Sequence, residues 1–370
     1  MTSGQRLFNL TLSKRLARKL LSNNSRCDEV QAIVKTEFRS RRLNKGRRDL
    51  LKVLGTSAFT VSASTLLGTV NSTGNAYAAA SSSIALPNPL ADYEIIAMGI
   101  NWSEGPVWWG DEMGQLLFSD VPGNTMYRWD RESISVFLSP SGIEEFPVPD
   151  YIREGGSNGL ALGRGGLLIA DSGTRSITFL DLKTRKKRVL VGEYQGKKLN
   201  SPNDLVLARN GDVYFTDPPY GLVGVRDSTM RELDFTGVFR LTPDDKLYLI
   251  ADNLFPNGIA LSPDNQVLYV TDSSGWIAID LDADGTPGAQ RVLVSAEEIG
   301  GRGDGMKSDT KGNLWCSGPG GIHVFSGTGE RIGFAPIEGR VSNCAFSPSG
   351  HLFVTNGDKV LRARISSNFL

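Results

Sequence analysis

One short phrase recurs six times in this chain. It consists of a carboxylate or amide residue, a small or turn-forming residue, and an apolar run. The copies are Glu104-Gly-Pro-Val-Trp, Asn158-Gly-Leu-Ala-Leu, Asn203-Asp-Leu-Val-Leu, Asn257-Gly-Ile-Ala-Leu, Asp304-Gly-Met-Lys-Ser and Asn343-Cys-Ala-Phe-Ser. A unit this small cannot bury its own apolar face. It must stack on its neighbours, so the repeat constrains the fold more than any other feature.

Each copy leads through a turn into a second apolar run. The turns are Glu112-Met-Gly114, Gly163-Arg-Gly165-Gly, Asn210-Gly211, Asp264-Asn265, Lys311-Gly312 and Ser349-Gly350. The runs include Leu116-Leu-Phe-Ser-Asp120, Val213-Tyr-Phe-Thr-Asp217 and Leu268-Tyr-Val-Thr-Asp272. Short β-branched and aromatic runs separated by Gly, Asn and Asp read as hairpins. Further strands follow, such as Ile177-Thr-Phe-Leu-Asp181 and Gly237-Val-Phe-Arg-Leu241. The anchors are spaced by 54, 45, 54, 47 and 39 residues, and a four-stranded propeller blade takes about 40–50. The pattern predicts an all-β, six-bladed β-propeller of four-stranded antiparallel blades. Residues 84–100 are available as a closing strand for the last blade.

Equivalent positions of a propeller are related by rotation about the central channel. The pattern therefore predicts a ring of Glu104, Asn158, Asn203, Asn257, Asp304 and Asn343 around one axis. Converging carboxylates and amide carbonyls are hard oxygen donors, which suit calcium best. The competing reading treats Asn-Gly and Asp-Gly as plain hairpin turns. The separate turns further along each repeat weigh against it. The strand-end aspartates Asp120, Asp171, Asp217 and Asp272 form a second column, expected to accept from turn N–H groups.

Charge divides the chain of 370 residues in two. Residues 1–78 hold 14 basic and 4 acidic residues, leaving 26 basic and 36 acidic in 79–370, a formal net of −10. An acidic body argues against a nucleic-acid partner. The first segment carries a basic run with Arg47-Arg48, a dilute apolar stretch from Val53 to Val70, and Ala76-Tyr77-Ala78. This is the layout of a secretory signal, and the paired arginines resemble the twin-arginine type. The apolar stretch is dilute for a membrane span, so no stable insertion is expected after cleavage; an uncleaved anchor is the alternative. The expected division is a signal segment over 1–78 and a catalytic propeller over 79–370, exported to the periplasm or cell exterior. Cys27 would leave with the signal. Cys316 and Cys344 are expected as buried free thiols, the alternative being a disulfide between them in an oxidising compartment.

Several familiar machines are missing. The sequence has no Gly-x-Ser-x-Gly elbow, P-loop or zinc-type Cys/His spacing. Its two histidines are His323, expected on a blade surface, and His351, expected solvated in the last hairpin turn. What remains is the ring. Glu104, Asn257 and Asp304 could hold one divalent cation and leave positions open for water and substrate. Such a cation polarises a carbonyl and a nearby carboxylate handles the proton, which suits hydrolysis of an ester or lactone.

The motifs Trp102-Ser-Glu104-Gly-Pro-Val-Trp108, Ser201-Pro-Asn203-Asp-Leu-Val, Phe215-Thr-Asp-Pro-Pro-Tyr220-Gly, Pro256-Asn257-Gly-Ile-Ala and Gly303-Asp304-Gly-Met cover nearly all of 95–365. In this order they resemble the senescence-marker-protein, gluconolactonase and luciferin-regenerating-enzyme family of six-bladed calcium propellers. The resemblance implies that Glu104, Asn257 and Asp304 are metal ligands. It implies that Asp304 is also the catalytic proton donor and acceptor, and that Asn203 contacts substrate. Ser201 stands where the animal branch has Arg, and the wording resembles the bacterial gluconolactonase branch. Tyr220 is expected at the pocket mouth, the alternative being packing beside Pro218 and Pro219. The expected function is opening of a sugar lactone at one divalent cation, calcium foremost, with zinc or manganese as alternatives. The rivals are an aryl-esterase or organophosphate hydrolase on the same site, and a non-catalytic calcium-stabilised scaffold.

Overall fold

The computed structural model describes residues 86–370. The twin-arginine segment and Cys27 lie outside the described residues. Six four-stranded antiparallel sheets follow one another. Their innermost strands are Ser103–Trp109, Ser157–Gly163, Leu205–Leu207, Ile259–Leu261, Met306–Ser308 and Val341–Ser347. The expected turns each connect an innermost strand to the second strand of its sheet. The third strands at Ser176–Leu180 and Gly237–Leu241 match the predicted runs.

The second strands are buried on both faces. Gln115–Asp120, Gly166–Asp171 and Val213–Asp217 have almost no exposed residue, which is why they read as continuous apolar runs rather than alternating ones. The outermost strands are far more exposed, with Val136, Val189 and Val292 open to water.

The hydrophobic core is divided among the gaps between blades. Each of six clusters joins two adjacent sheets. Leu117 and Met126 of the first blade pack on Leu160, Leu167 and Ile169 of the second. Phe215 and Phe239 of the third pack on Leu168 and Ile177 of the second. Burying each such side chain contributes about 1.5–3 kcal/mol.

The sixth blade is completed from the other end of the domain. Leu90–Met98 pairs antiparallel with Lys359–Ile365, as expected for a strand from 84–100. Ala97 of that strand joins Phe118, Trp129 and Phe353 in the cluster that seals the first blade to the sixth.

Hydroxyl groups lock neighbouring blades near the axis. Ser119 Oγ donates to the Asn158 carbonyl at 2.8 Å, Thr216 Oγ1 to that of Asn257 at 2.6 Å, and Thr271 Oγ1 to that of Asp304 at 2.6 Å. Ser317 Oγ reaches Ser342 O, and Ser342 Oγ reaches Ser103 O, tying the fifth blade to the sixth and the sixth to the first. Four of these donors precede the second strand's closing Asp or Gly by one residue, and each lock is worth about 0.5–1.5 kcal/mol. Three of the strand-end aspartates hold the segment just before an anchor, while Asp171 accepts from Thr174 N–H and Lys187 Nζ instead. Asp120 accepts from Asn101 and Trp102 N–H, Asp217 from Asn200 and Ser201 N–H, and Asp272 from Phe255 N–H. The first anchors are therefore fixed by backbone ties on both sides.

Among the described residues no helix is long and apolar enough to cross a membrane. Cys316 and Cys344 are buried and free, as expected.

Candidate active site

A cavity of about 760 Å³ opens at the channel. Glu104, Asn158, Asn203, Asn257 and Asp304 line it, together with Trp102, Tyr220, Glu154 and the arginines Arg153, Arg302 and Arg340. Five of the six predicted ring residues therefore meet at one place.

The glycine after an anchor is not there to make a hairpin turn. A Cβ on Gly105 would lie 1.9 Å from the Asn158 carbonyl oxygen, and one on Gly258 would lie 2.4 Å from that of Asp304. The inner strands approach too closely at the axis to admit a side chain. Gly after an anchor is a packing signature of the channel, unlike Gly211 of the Asn210-Gly211 hairpin turn.

The sixth anchor departs from the predicted ring. Asn343 does not line the cavity; it lies in a hydrogen-bonded layer with Asp204 and Lys307. Its Oδ1 accepts from Lys307 Nζ at 3.1 Å and from Cys344 N–H at 2.9 Å. That fixes the amide so that Nδ2 faces Asp204 Oδ2 at 3.2 Å and Glu104 Oε2 at 3.4 Å. The rotational argument fails here because Asp204 and Lys307 break the symmetry. Both stand inside the repeat phrase. The signal for them was Asp in place of Gly after Asn203 and a lone Lys in an otherwise apolar inner run.

The other amides are free of such ties. Among the described residues, the side-chain amides of Asn158, Asn203 and Asn257 make no hydrogen bond with protein, and Asp304 Oδ1 is buried without a partner. An unpartnered buried oxygen is costly, so Asp304 Oδ1, in the same cavity as three unbonded amides, marks a place where a ligand completes the bonding. The carboxylates give the same indication. Burial, and then the nearby Asp204 charge, push Glu104 up to about 7. Burial and the Glu104 charge raise Asp304 well above the usual carboxylate range. No group of three His, Cys, Asp or Glu side chains converges among the described residues. The donor set is two carboxylates and amide oxygens, all hard, which fits a calcium-like cation better than zinc. Glu104, Asn257 and Asp304 thus fit the group the sequence called for.

Tyr220 lies at the mouth, edge-on to Phe255 at 5.2 Å. Burial, and then the Asp304 charge, push its hydroxyl up to about 12, so it remains a donor at neutral pH. Ser201 does not line the cavity. Its Oγ accepts from Gly221 N–H at 2.9 Å and ties down the Tyr220 loop. Trp102 is the one tryptophan lining the cavity, with the Arg340 guanidinium 4.6 Å from its ring. His323 is not at a solvated surface. It is 2% exposed, between Trp276 and Phe334, which leaves no histidine in the cavity. His351 is partly exposed beside Ser349.

Glu154 and its neighbours had no counterpart in the sequence reading. The two longest repeat spacings contain residues 139–156 and 218–236, and these two loops pair at the mouth. Arg153 and Glu154 N–H donate to Gly221 O, and Val223 N–H donates to Tyr151 O.

Known proteins resemble this chain in sequence and fold. Residues 102–358 match the SMP-30/Gluconolactonase/LRE-like region. The chain is 44% identical over 291 residues to a gluconolactonase of Zymomonas mobilis, covering 73% of this chain and 80% of that one. It is 27% identical to regucalcin of Xenopus laevis, covering 68% and 82% of the two chains. A solved gluconolactonase from Xanthomonas campestris superposes with a TM-score of 0.65 at 33% identity, covering 75% of this chain and 91% of that one. With a match across most of the propeller and a relative this similar, the chain belongs to the SMP-30/gluconolactonase/LRE-like family.

Proposed function

We propose that this protein is a hydrolase that opens sugar lactones of the gluconolactone type at a divalent-cation site held by Glu104, Asn257 and Asp304. The observation that carries the reading is the buried, unpartnered Asp304 Oδ1 beside the unbonded amides of Asn158, Asn203 and Asn257 in one cavity. A relative named gluconolactonase at 44% identity supports the substrate class.

A cation bound there would supply Lewis-acid polarisation of the lactone carbonyl. The chain's own groups do the rest. Asn203 offers an amide to a substrate oxygen, and the Tyr220 hydroxyl donates to a sugar hydroxyl at the mouth. Trp102 gives the ring an apolar face to rest on. Asp304 takes the proton of the attacking water, a task for which a carboxylate at the centre of the cavity is placed. The paired loops 139–156 and 218–236 contribute Arg153, Glu154 and Tyr220 to the cavity wall.

The test is hydrolysis of gluconolactone by the mature chain before and after chelation, with calcium, zinc or manganese restored. Activity that disappears with the metal and returns best with calcium is expected. A folded, metal-loaded protein inactive on every lactone would overturn the reading in favour of an aryl ester, an organophosphate or a binding scaffold. Export through the twin-arginine segment is part of the same proposal. Recovery of the mature protein from the periplasmic fraction, and its loss on Arg47→Lys with Arg48→Lys, tests it.

A further inference from the structure

Glu154 is a third carboxylate in the cavity, and neither the ring nor the lactonase reading gives it a task. It is 8% exposed, yet it lines the cavity. Its Oε1 is held by the Arg153 guanidinium, while Oε2 has no hydrogen-bond partner among the described residues. The loop 139–156 that carries it is tied through Gly221 to the loop that carries Tyr220, so both side chains are presented from one roof. Its charge is felt at Asp304.

A buried carboxyl with one oxygen anchored and the other open to the reaction space is arranged to transfer a proton. Opening a lactone needs two such transfers. The attacking water must lose a proton, and the departing ring oxygen, a poor leaving group as an alkoxide, must gain one. On the lactonase reading Asp304 performs the first.

We propose that Glu154 is the general acid that protonates the departing ring oxygen. A bond forms between the water oxygen and the carbonyl carbon, and a water proton passes to Asp304. The bond between that carbon and the ring oxygen breaks with its electron pair on oxygen, which takes the proton from Glu154 Oε2. Solvent then removes the Asp304 proton and restores the one on Glu154, so one water is consumed per ring opened. Burial raises the Glu154 carboxyl above its ordinary range, with Arg153 opposing, which is the direction that favours a proton donor. The other charged groups lining the cavity are Glu104, Asp304, Arg302 and Arg340.

The experiment compares wild type with Glu154→Gln, in which Arg153 still has an oxygen to donate to, on two substrates. Gluconolactone releases an alkoxide. Dihydrocoumarin, an aromatic lactone, releases a phenoxide that needs little help. Glu154→Gln should lower kcat on gluconolactone by about 10²-fold. It should lower kcat on dihydrocoumarin by less than about tenfold, and it should abolish the fall in rate that wild type shows as Glu154 ionises at rising pH. Calcium affinity by titration calorimetry should not change at a pH where Glu154 holds its proton. An equal loss on both substrates with an unchanged pH profile would make Glu154 structural and overturn the proposal. Wild type inactive on both would overturn the lactonase reading itself and the proposal with it. Wild type active, with Glu154→Gln equally so, would overturn the proposal alone.

Discussion

The Lys307 ammonium stands 3.4 Å from Asp204 Oδ2, beside Asn343, the one anchor that does not line the cavity. Lys307 also reaches Met306 O and Asn343 Oδ1 at 3.0 and 3.1 Å. With side chains 23% and 3% exposed, the pair is largely withdrawn from water. It supplies a fixed positive charge below two carboxylates that otherwise repel each other.

Removing one member of such a pair leaves the other charge buried alone. Lys307→Met should therefore destabilise the protein by about 3–5 kcal/mol, read by chemical denaturation. The double change with Asp204→Asn should recover much of that loss. A single change costing less than about 1 kcal/mol would show that water already reaches Asp204.

The close approach of inner strands predicts a second outcome. In Gly258→Ala the new Cβ would meet the Asp304 carbonyl at 2.4 Å, against backbone that cannot swing aside. The expected loss is about 1–3 kcal/mol of stability, with weaker cation binding because Asp304 itself must shift. Gly165→Ala is the control. Gly165 has positive φ but nothing within 4 Å of an added Cβ, so only the cost of backbone strain, about 1 kcal/mol, is expected there. Thermal unfolding of the two variants with and without calcium makes the comparison, and equal losses would remove the steric argument.

Much of this was legible because propeller blades are local. Each hairpin lies within one repeat, so apolar runs and Gly/Asn turns locate the strands. Rotation then brings distant anchors such as Glu104 and Asp304 together. The Leu90–Met98 strand was foreseeable because a ring must close. The functions of Asp204, Lys307 and Glu154 were not. Asp204 and Lys307 meet across 103 residues through a register no local pattern encodes. Glu154 lies in a loop whose path depends on pairing with a second loop at Leu222. Asn343 was misplaced for the same reason: symmetry fixes where a Cα sits, while the amide's partners decide what it can do.

Asp304 combines two duties, and its variants separate them. Asp304→Asn keeps the shape and one oxygen donor but loses the charge. Cation affinity should fall by at least about tenfold, and kcat by about 10²-fold or more, since the group that takes the water proton is gone. Asn257→Ala should weaken the cation while saturating calcium restores kcat. Calorimetry with calcium and lactone turnover at saturating metal distinguish the two variants. Full activity of Asp304→Asn at saturating calcium would remove Asp304 from the chemistry and leave it a ligand only.

His323 provides a pH test away from the cation site. Its Nε2 is 3.0 Å from Pro319 O, and Nδ1 accepts from the Arg331 guanidinium at 3.0 Å. Nε2 therefore carries the proton and the ring is neutral. Burial, ahead of the repulsion from Arg331, pulls its pKa from the usual 6.5 down to about 4. The unfolded chain binds a proton below 6.5 that the native state refuses until about 4. The neutral ring's contribution is thus complete above pH 6.5 and lost as pH falls through that window, by about 3 kcal/mol at most. Unfolding free energies of wild type and His323→Phe should converge by that amount between pH 7 and pH 4, whatever the variant costs at neutral pH. Parallel curves would mean that His323 protonates in the native state as readily as in the unfolded chain. Since Pro319 lines the cavity, acid should also loosen that wall before the propeller unfolds, seen as amide exchange at Gly318 and Gly320 rising ahead of the global transition.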